Sequence, residues 1–376
     1  MTESEKFDKF MKQQRWGGVY EPPLRPDGTY SHEDFLINGF KGFTEGIYQK
    51  PNKKNFRFLP ITRLNNIPII DAFVVFDGQQ HYVSVSMGLI KTLEILFNLL
   101  AAQPTFFPEI GNSNLEFQTN RKFEKLEFVD WNQLKYKWPG VDEVYPKCPI
   151  RQDFAQYLLH IAVIFIFLHE AAHLTGGHCD GESKKPIYEI SKRSEEEKRN
   201  LYLQCLEMDA DARAIHETLN EFREIIINPV HSSLERFKKF YGDEINGIKY
   251  LVNALYLFFK IIGPEQLKKE EFLKVDHPPI ISRQLCFVNI IKANYSDEPE
   301  KIEDVRQAIK AGVEQLEAGL QNLSEKKIEP LLTQENKVLT DDHYKLLVDS
   351  WPSVHDKLQP YAYVNLPIYK RTPVNL

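Results

Sequence analysis

Surplus charge, paired cysteines and long apolar runs are all scarce in this 376-residue chain, and each scarcity removes a class of protein. The 47 Lys and Arg against 53 Asp and Glu leave a net charge of −6, spread along the chain. No basic stripe exists to hold nucleic acid or an anionic membrane. The four cysteines, Cys148, Cys179, Cys205 and Cys286, have no paired spacing, which excludes a disulfide framework and a zinc ribbon. They are expected to be inert buried thiols. The first ten residues, MTESEKFDKF, are charged where a secretory signal is apolar, so a reducing cytoplasm is the expected location. The apolar stretches are short or interrupted. Leu158 to Leu168 contains His160, Tyr250 to Ile262 contains Asn253 and Lys260, and Leu93 to Ala102 is about half the ~20 residues of a membrane span. All three are expected as buried helices, with no integral membrane segment.

What is present is enough apolar material, 42% hydrophobic and 12% aromatic residues, for one large core or two modest ones. Residues 1–55 mix Lys, Pro, Gly and aromatics without a period and suggest an irregular arm. From Phe56 the pattern turns strand-like. Ile67 to Phe76, a turn at Asp77-Gly78 and the alternating His81 to Ser86 predict a β-hairpin. Helices are predicted from Gly88 to about Ala102, from Ile150 to Gly176-Gly177, from Ser194 toward Ile227, from Leu234 to Ile262 and after Pro279. Ile302, Val305, Ile309, Val313, Leu316, Leu320 and Leu323 recur at spacings of three and four, one apolar helix stripe. The tail from about Lys326 reads as irregular. Residues 106–147 do not resolve into elements.

The chemistry concentrates in His169-Glu170-Ala171-Ala172-His173, entered from the apolar run and followed by Leu174-Thr175-Gly176-Gly177-His178. Histidines four apart stand on one helix face and can meet one metal, while the glutamate between them is placed to act on a water. A catalytic zinc site takes three protein ligands, so a third must come from elsewhere. On the next helix Glu207 and Asp211 are four apart with small alanines between them. Glu207 is expected as the third ligand and Asp211 as the carboxylate behind a ligand histidine, with Asp209 pointing elsewhere. In Asp276-His277-Pro278-Pro279-Ile280-Ile281-Ser282-Arg283, the prolines stiffen a histidine and start a helix that carries an arginine. His277 and Arg283 are expected to stabilise an oxyanion. His178 and Cys179 are rival third ligands. Cys179 stands where the metzincin pattern requires histidine, and His178 reads better as a hydrogen-bonding residue at the helix end. His160 reads as a core histidine.

The three segments HEAAHLTGGH, EMDADARA and HPPIISR, in that order, resemble the motif set of gluzincin metallopeptidases of the CAAX prenyl protease and HtpX-like kind. Asp71-Ala72-Phe73 through Gly88-Leu89-Ile90 is similar to that family's cleft-lining hairpin, with Asp71 where Asn is usual. Without membrane helices the chain looks closest to soluble phage-exclusion peptidases of the Lit type. The likeness spans roughly residues 67–290. It implies a mainly helical α+β zincin-like domain over residues 56–295, with a small antiparallel hairpin or sheet at the cleft rim and residues 296–376 as a C-terminal helix and tail packed on the core. It further implies one Zn2+ per chain and an extended protein or peptide substrate laid against Asp71, Ala72 and Phe73. The expected activity is zinc-dependent hydrolysis of internal peptide bonds, with Glu170 as base, in a regulated stress or phage-defence role under an inhibitory or activating protein partner. A zinc-binding regulatory scaffold, an exopeptidase and a partner-silenced toxin are the rival functions. An intact Glu170 argues against the scaffold, and no anchor for a free terminus is visible for an exopeptidase.

Overall fold

The computed structural model of the chain describes residues 2–14, 17–20, 59–117, 121–124, 126, 131–180, 194–227, 237, 239–240, 243–262 and 267–369. Most of the N-terminal arm, residues 21–55, lies outside these. Its beginning is not irregular: Glu3–Gln13 is a helix, α1. Thr2 accepts from the Glu5 N–H while the Glu5 carboxylate accepts from the Thr2 N–H, a reciprocal cap. Phe7, Phe10 and Met11 share one face and pack on Ile61 and Tyr82, with Phe10 stacked on the Tyr82 ring at 4.2 Å.

The fold is mainly helical α+β around a three-stranded mixed sheet of order β1-β3-β2. Strands β2 (Ala72–Phe76) and β3 (His81–Ser86) form the expected antiparallel hairpin, Ala72 facing Val85 and Phe76 facing His81. Its turn is held by Asp77, whose carboxylate accepts from the N–H groups of Gln79 and Gln80. Strand β1 (Ile61–Asn65) adds in parallel on the other side of β3. β3 is therefore buried throughout and β2 remains an edge. The next helix, α2 (Met87–Ala101), is capped by Ser86. Gly88 lets the chain at Pro68 cross its first turn: a Cβ there would lie 2.0 Å from the Pro68 carbonyl oxygen.

A short α3 (Trp131–Lys137) precedes the central helix α4 (Pro149–Thr175), followed by α5 (Glu195–Ile227), α6 (Glu244–Ile261), α7 (Ile280–Ala293), α8 (Ile302–Leu323) and α9 (Gln334–Leu358). Proline at the first position and two glycines at the end bound α4 as expected. Ser194 and Glu197 cap α5 reciprocally. Two elements differ from expectation. The helix foreseen from Leu234 starts only at Glu244, where Asp243 accepts from the Asn246 N–H; residues 228–236 lie outside the described residues. The tail read as irregular contains α9, capped by Thr333. Its Leu347, Val348, Trp351, Val354 and Leu358 form a stripe that buries against Leu201, Tyr202, Cys205 and Met208 of α5. Charged neighbours and Pro352 obscure that stripe in the sequence.

Helix α4 is apolar on all sides because it is surrounded on all sides: Phe154, Leu158, Ile161, Phe165 and Ile166 share one core with residues of α2, α6 and α8. Among the described residues it is the helix long and apolar enough to cross a membrane, yet 83% of its most apolar window is buried within the protein, compatible with a soluble fold.

Candidate metal centre

The end of α4 is positioned from two directions. Ala171 and Leu174 pack under Val83 and Val74 of the sheet. Then Gly177, at φ 72°, ends the helix: the His178 N–H bonds the His173 carbonyl at 3.0 Å and the Gly177 N–H bonds that of Leu174 at 3.1 Å. This is a Schellman turn, which needs a residue tolerant of the left-handed region and folds the chain back on the last turn. It brings the His178 ring beside His173, with Nδ1 to Nδ1 at 2.9 Å.

His169 and His173 present their Nε2 atoms to each other at 3.1 Å. Glu207 of α5 reaches both, Oε2 lying 3.4 Å from His169 Nε2 and Oε1 lying 3.3 Å from His173 Nε2. These donors form a group able to hold a metal ion. Zinc with arms of about 2.0–2.1 Å in tetrahedral geometry separates its ligand atoms by about 3.3–3.4 Å. The two imidazole nitrogens stand just inside that edge and each has a different Glu207 oxygen within it, so the donor set fits such an ion. Asp211, one turn along α5, has Oδ1 2.9 Å from His169 Nδ1. Asp209 points away from the donors, as expected, and meets His178, Arg213 and Tyr369.

The electrostatics follow from burial. It pushes the Glu170 carboxyl up to about 8, with Glu207 and Asp71 adding to the rise and His169 and Arg283 opposing it. Burial lowers His173 to about 4 against the pull of Glu207, so this imidazole is neutral, the form that can donate a lone pair. Burial would also lower His169, but Asp211 and Glu207 outweigh it and push it up to about 10. Burial opposes the ionised forms of Glu207 and Asp211, yet His173 and His169 hold Glu207 well down and Arg283 and His169 hold Asp211 down.

These groups open into a cleft of about 640 Å³. Its rim carries the other expected residues. Asp71, Ala72 and Phe73 line it from the outer edge of the described sheet, and burial raises the Asp71 carboxyl. His277, 61% exposed, stands at the mouth with Nε2 3.7 Å from Glu207 Oε1 and Nδ1 2.9 Å from Asp276. Its loop is held from beneath: the buried Gln204 side chain donates to the carbonyls of Phe272, Val275 and His277 and meets His343 of α9 at 2.8 Å. Arg283 lies behind the donors. Its guanidinium grips Asp211 with two bonds of 2.8 and 2.7 Å and lies 3.6 Å from Glu207. Two arms of that fork are committed to a buried carboxylate, while the residue also lines the cleft.

Neither the Gln204–His343 support nor the His178–Asp209 contact is foreseen from the sequence. For the latter a signal exists: a Gly-Gly-His at a helix end implies a turned-back imidazole, although its partner on α5 is set by helix packing. His160 lies in α4 beside Phe237, within a core environment. The chain matches no family model, and no curated protein and no solved structure is similar to it.

Proposed function

We propose that this chain is a zinc-dependent metalloendopeptidase of the gluzincin type that acts on protein substrates in the cytoplasm. The observation carrying the proposal is the spacing of His169 Nε2, His173 Nε2 and the Glu207 carboxylate at 3.1, 3.3 and 3.4 Å with a buried Glu170 beside them. His169, His173 and Glu207 would hold the ion. When bound, zinc supplies Lewis acidity toward a scissile carbonyl and lowers the pKa of water toward ~7.

The chain's own residues do the rest. Glu170 would carry the proton, since burial makes its carboxylate a stronger base than an exposed one. It receives the proton of the attacking water and returns it to the departing amide nitrogen. His277, whose Nε2 lies at the mouth on the Glu207 side, would donate to the oxyanion. The outer edge of β2, which pairs with no further strand among the described residues, would offer main-chain groups to an extended peptide, with Asp71, Ala72 and Phe73 along its path. Four free cysteines, three of them buried, support a reducing compartment.

Zinc content of the wild type, Glu207→Ala and Glu170→Gln, with casein cleavage on the same samples, tests this proposal. Expected are about one zinc in wild type and in Glu170→Gln, loss of metal in Glu207→Ala, and cleavage of internal bonds by wild type alone. Full zinc in Glu207→Ala refutes the ligand set. Normal zinc with no cleavage by wild type of casein or of an unfolded-protein panel refutes the peptidase.

A further inference from the structure

We infer that His178 and Asp209 are positioning residues for the second metal-binding histidine, a carboxylate–imidazole–imidazole relay that fixes the tautomer of His173. The inference rests on the metal reading above and extends it to residues outside the ligand set.

The two donor histidines are backed differently. His169 has a carboxylate directly behind it, since its Nδ1 meets Asp211 at 2.9 Å. Behind His173 stands a second imidazole, His178, at 2.9 Å between Nδ1 atoms, and behind that Asp209, with His178 Nε2 3.3 Å from Oδ2. Two facing imidazole nitrogens form a hydrogen bond only if one carries a proton and the other a lone pair. Asp209 decides which. It is fully buried, accepts from the Tyr369 hydroxyl at 2.7 Å through Oδ1, and lies 3.4 Å from Arg213 through Oδ2. Asp209 Oδ2 faces His178 Nε2 at 3.3 Å without hydrogen-bond geometry, and a carboxylate there favours by its charge the tautomer that carries the proton on Nε2. His178 Nδ1 is then the acceptor, His173 Nδ1 carries the hydrogen, and His173 Nε2 is left as a lone pair facing Glu207.

Both donors are thus backed by carboxylates from one helix. Asp211 acts on His169 directly and Asp209, two residues earlier on α5, acts on His173 through His178. Arg213 couples the relay to α4 by bonding the Ala172 carbonyl and the Thr175 hydroxyl. Tyr369 extends it to the C-terminal segment.

The test is zinc affinity by chelator competition and the visible spectrum of the cobalt-substituted protein, for wild type, Asp211→Asn, His178→Phe, Asp209→Asn and Tyr369→Phe. Asp211→Asn and His178→Phe are expected to weaken zinc binding roughly 10–100-fold, Asp209→Asn less and Tyr369→Phe least, with shifted cobalt bands in His178→Phe. A merely structural role would lower the melting temperatures of metal-free and zinc-loaded protein together and leave affinity and spectrum in place. Should His178→Phe fail to fold, Asp209→Asn, which keeps the shape, and Tyr369→Phe decide the matter. Folded relay variants that bind zinc within about twofold of wild type overturn the relay alone. A wild type that binds no zinc overturns the metal centre and the relay with it.

Discussion

Replacing Arg283 by Met separates a group that organises the centre from one that works on substrate. Arg283 and Asp211 are both buried and joined by two hydrogen bonds, and Glu207 lies 3.6 Å away. Removing the cation leaves the Asp211 carboxylate buried with only His169 as partner, and breaking such a pair costs about 3–5 kcal/mol. With unfolding entropy of roughly 2.1 cal/mol/K per residue, a chain of this length changes by about 0.8 kcal/mol per degree, so metal-free Arg283→Met should melt about 4–6 °C below wild type. Zinc then acts in opposite senses. Loosening Asp211, and through it His169, weakens binding by roughly 10–100-fold, or about 1.4–2.7 kcal/mol. An ion bound about 2 Å from the Glu207 oxygen that lies 3.6 Å from Arg283 is at most about 5.6 Å from the guanidinium, so removing that positive charge relieves repulsion worth about 3 kcal/mol per unit charge of the ion at an effective dielectric near 20. The charge effect is larger. The rise in melting temperature on adding zinc should therefore be greater in Arg283→Met than in wild type, with Arg283→Lys between them because it keeps the charge and loses the fork. Calorimetry of metal-free and zinc-loaded samples measures both. An unchanged metal-free melting point, or a zinc-induced rise no larger than that of wild type, refutes the account and returns Arg283 to the substrate side.

Acid should weaken the protein through Glu244. Burial works against its ionisation, but Lys301, Arg223 and the Tyr295 hydroxyl together hold its carboxyl below the usual 4.5. A depressed folded pKa adds stability that is fully present above the unfolded value and lost as pH falls through the folded one. Urea midpoints should thus fall below about pH 4.5 more steeply in wild type than in Glu244→Gln, and parallel curves would contradict this. Arg151→Met should cost about 3–5 kcal/mol, because the fully buried guanidinium donates to the carbonyls of Ala101, Gln103, Phe106, Phe107 and Ile110, and should speed amide exchange over residues 101–110. Gly88→Ala should destabilise by about 1–3 kcal/mol, since its Cβ meets backbone at 2.0 Å, whereas Gly247→Ala, with open space in α6, should stabilise by about 0.5–1 kcal/mol. Thermal melts that rank these two glycines in the other order would show the contact at Pro68 to be yielding.

The parts of the site legible in the sequence are those set by a local period. Residues four apart on a helix share a face whatever the tertiary structure, which is why His169 with His173 and Glu207 with Asp211 can be paired from spacing alone. The hairpin was legible because alternation and Asp77-Gly78 are also local. Less visible are features that depend on what packs against what. A Cys-poor, charged tail with Pro352 gives α9 a weak pattern, and only burial against α5 reveals its stripe. The parallel strand β1 pairs with β3 across the whole hairpin, a long-range choice with no local signal. Arg283 is legible as part of the site, but its grip on Asp211 is not, because spacing along α7 says nothing of where Asp211 stands.

The same helix explains why the centre needs the C-terminal region. α5 supplies Glu207 to the donors, Asp211 behind His169 and Asp209 behind His178, so a small rotation of α5 would displace all three acids at once. One side of α5 is fixed by α4 and α7, where Arg283 grips Asp211. The other side is fixed by α9, through the Leu201, Tyr202 and Cys205 contacts and the Gln204–His343 bond, and by Tyr369 on Asp209. The Tyr363 N–H in turn bonds the Thr175 carbonyl at the end of α4, and Gly177 has no room for a side chain because Tyr361 and Ala362 lie against it. Residues 334–369 therefore brace both helices that carry the donors and, through Gln204, the loop that carries His277. They belong to the same functional unit as the HExxH helix rather than forming an appendage to it.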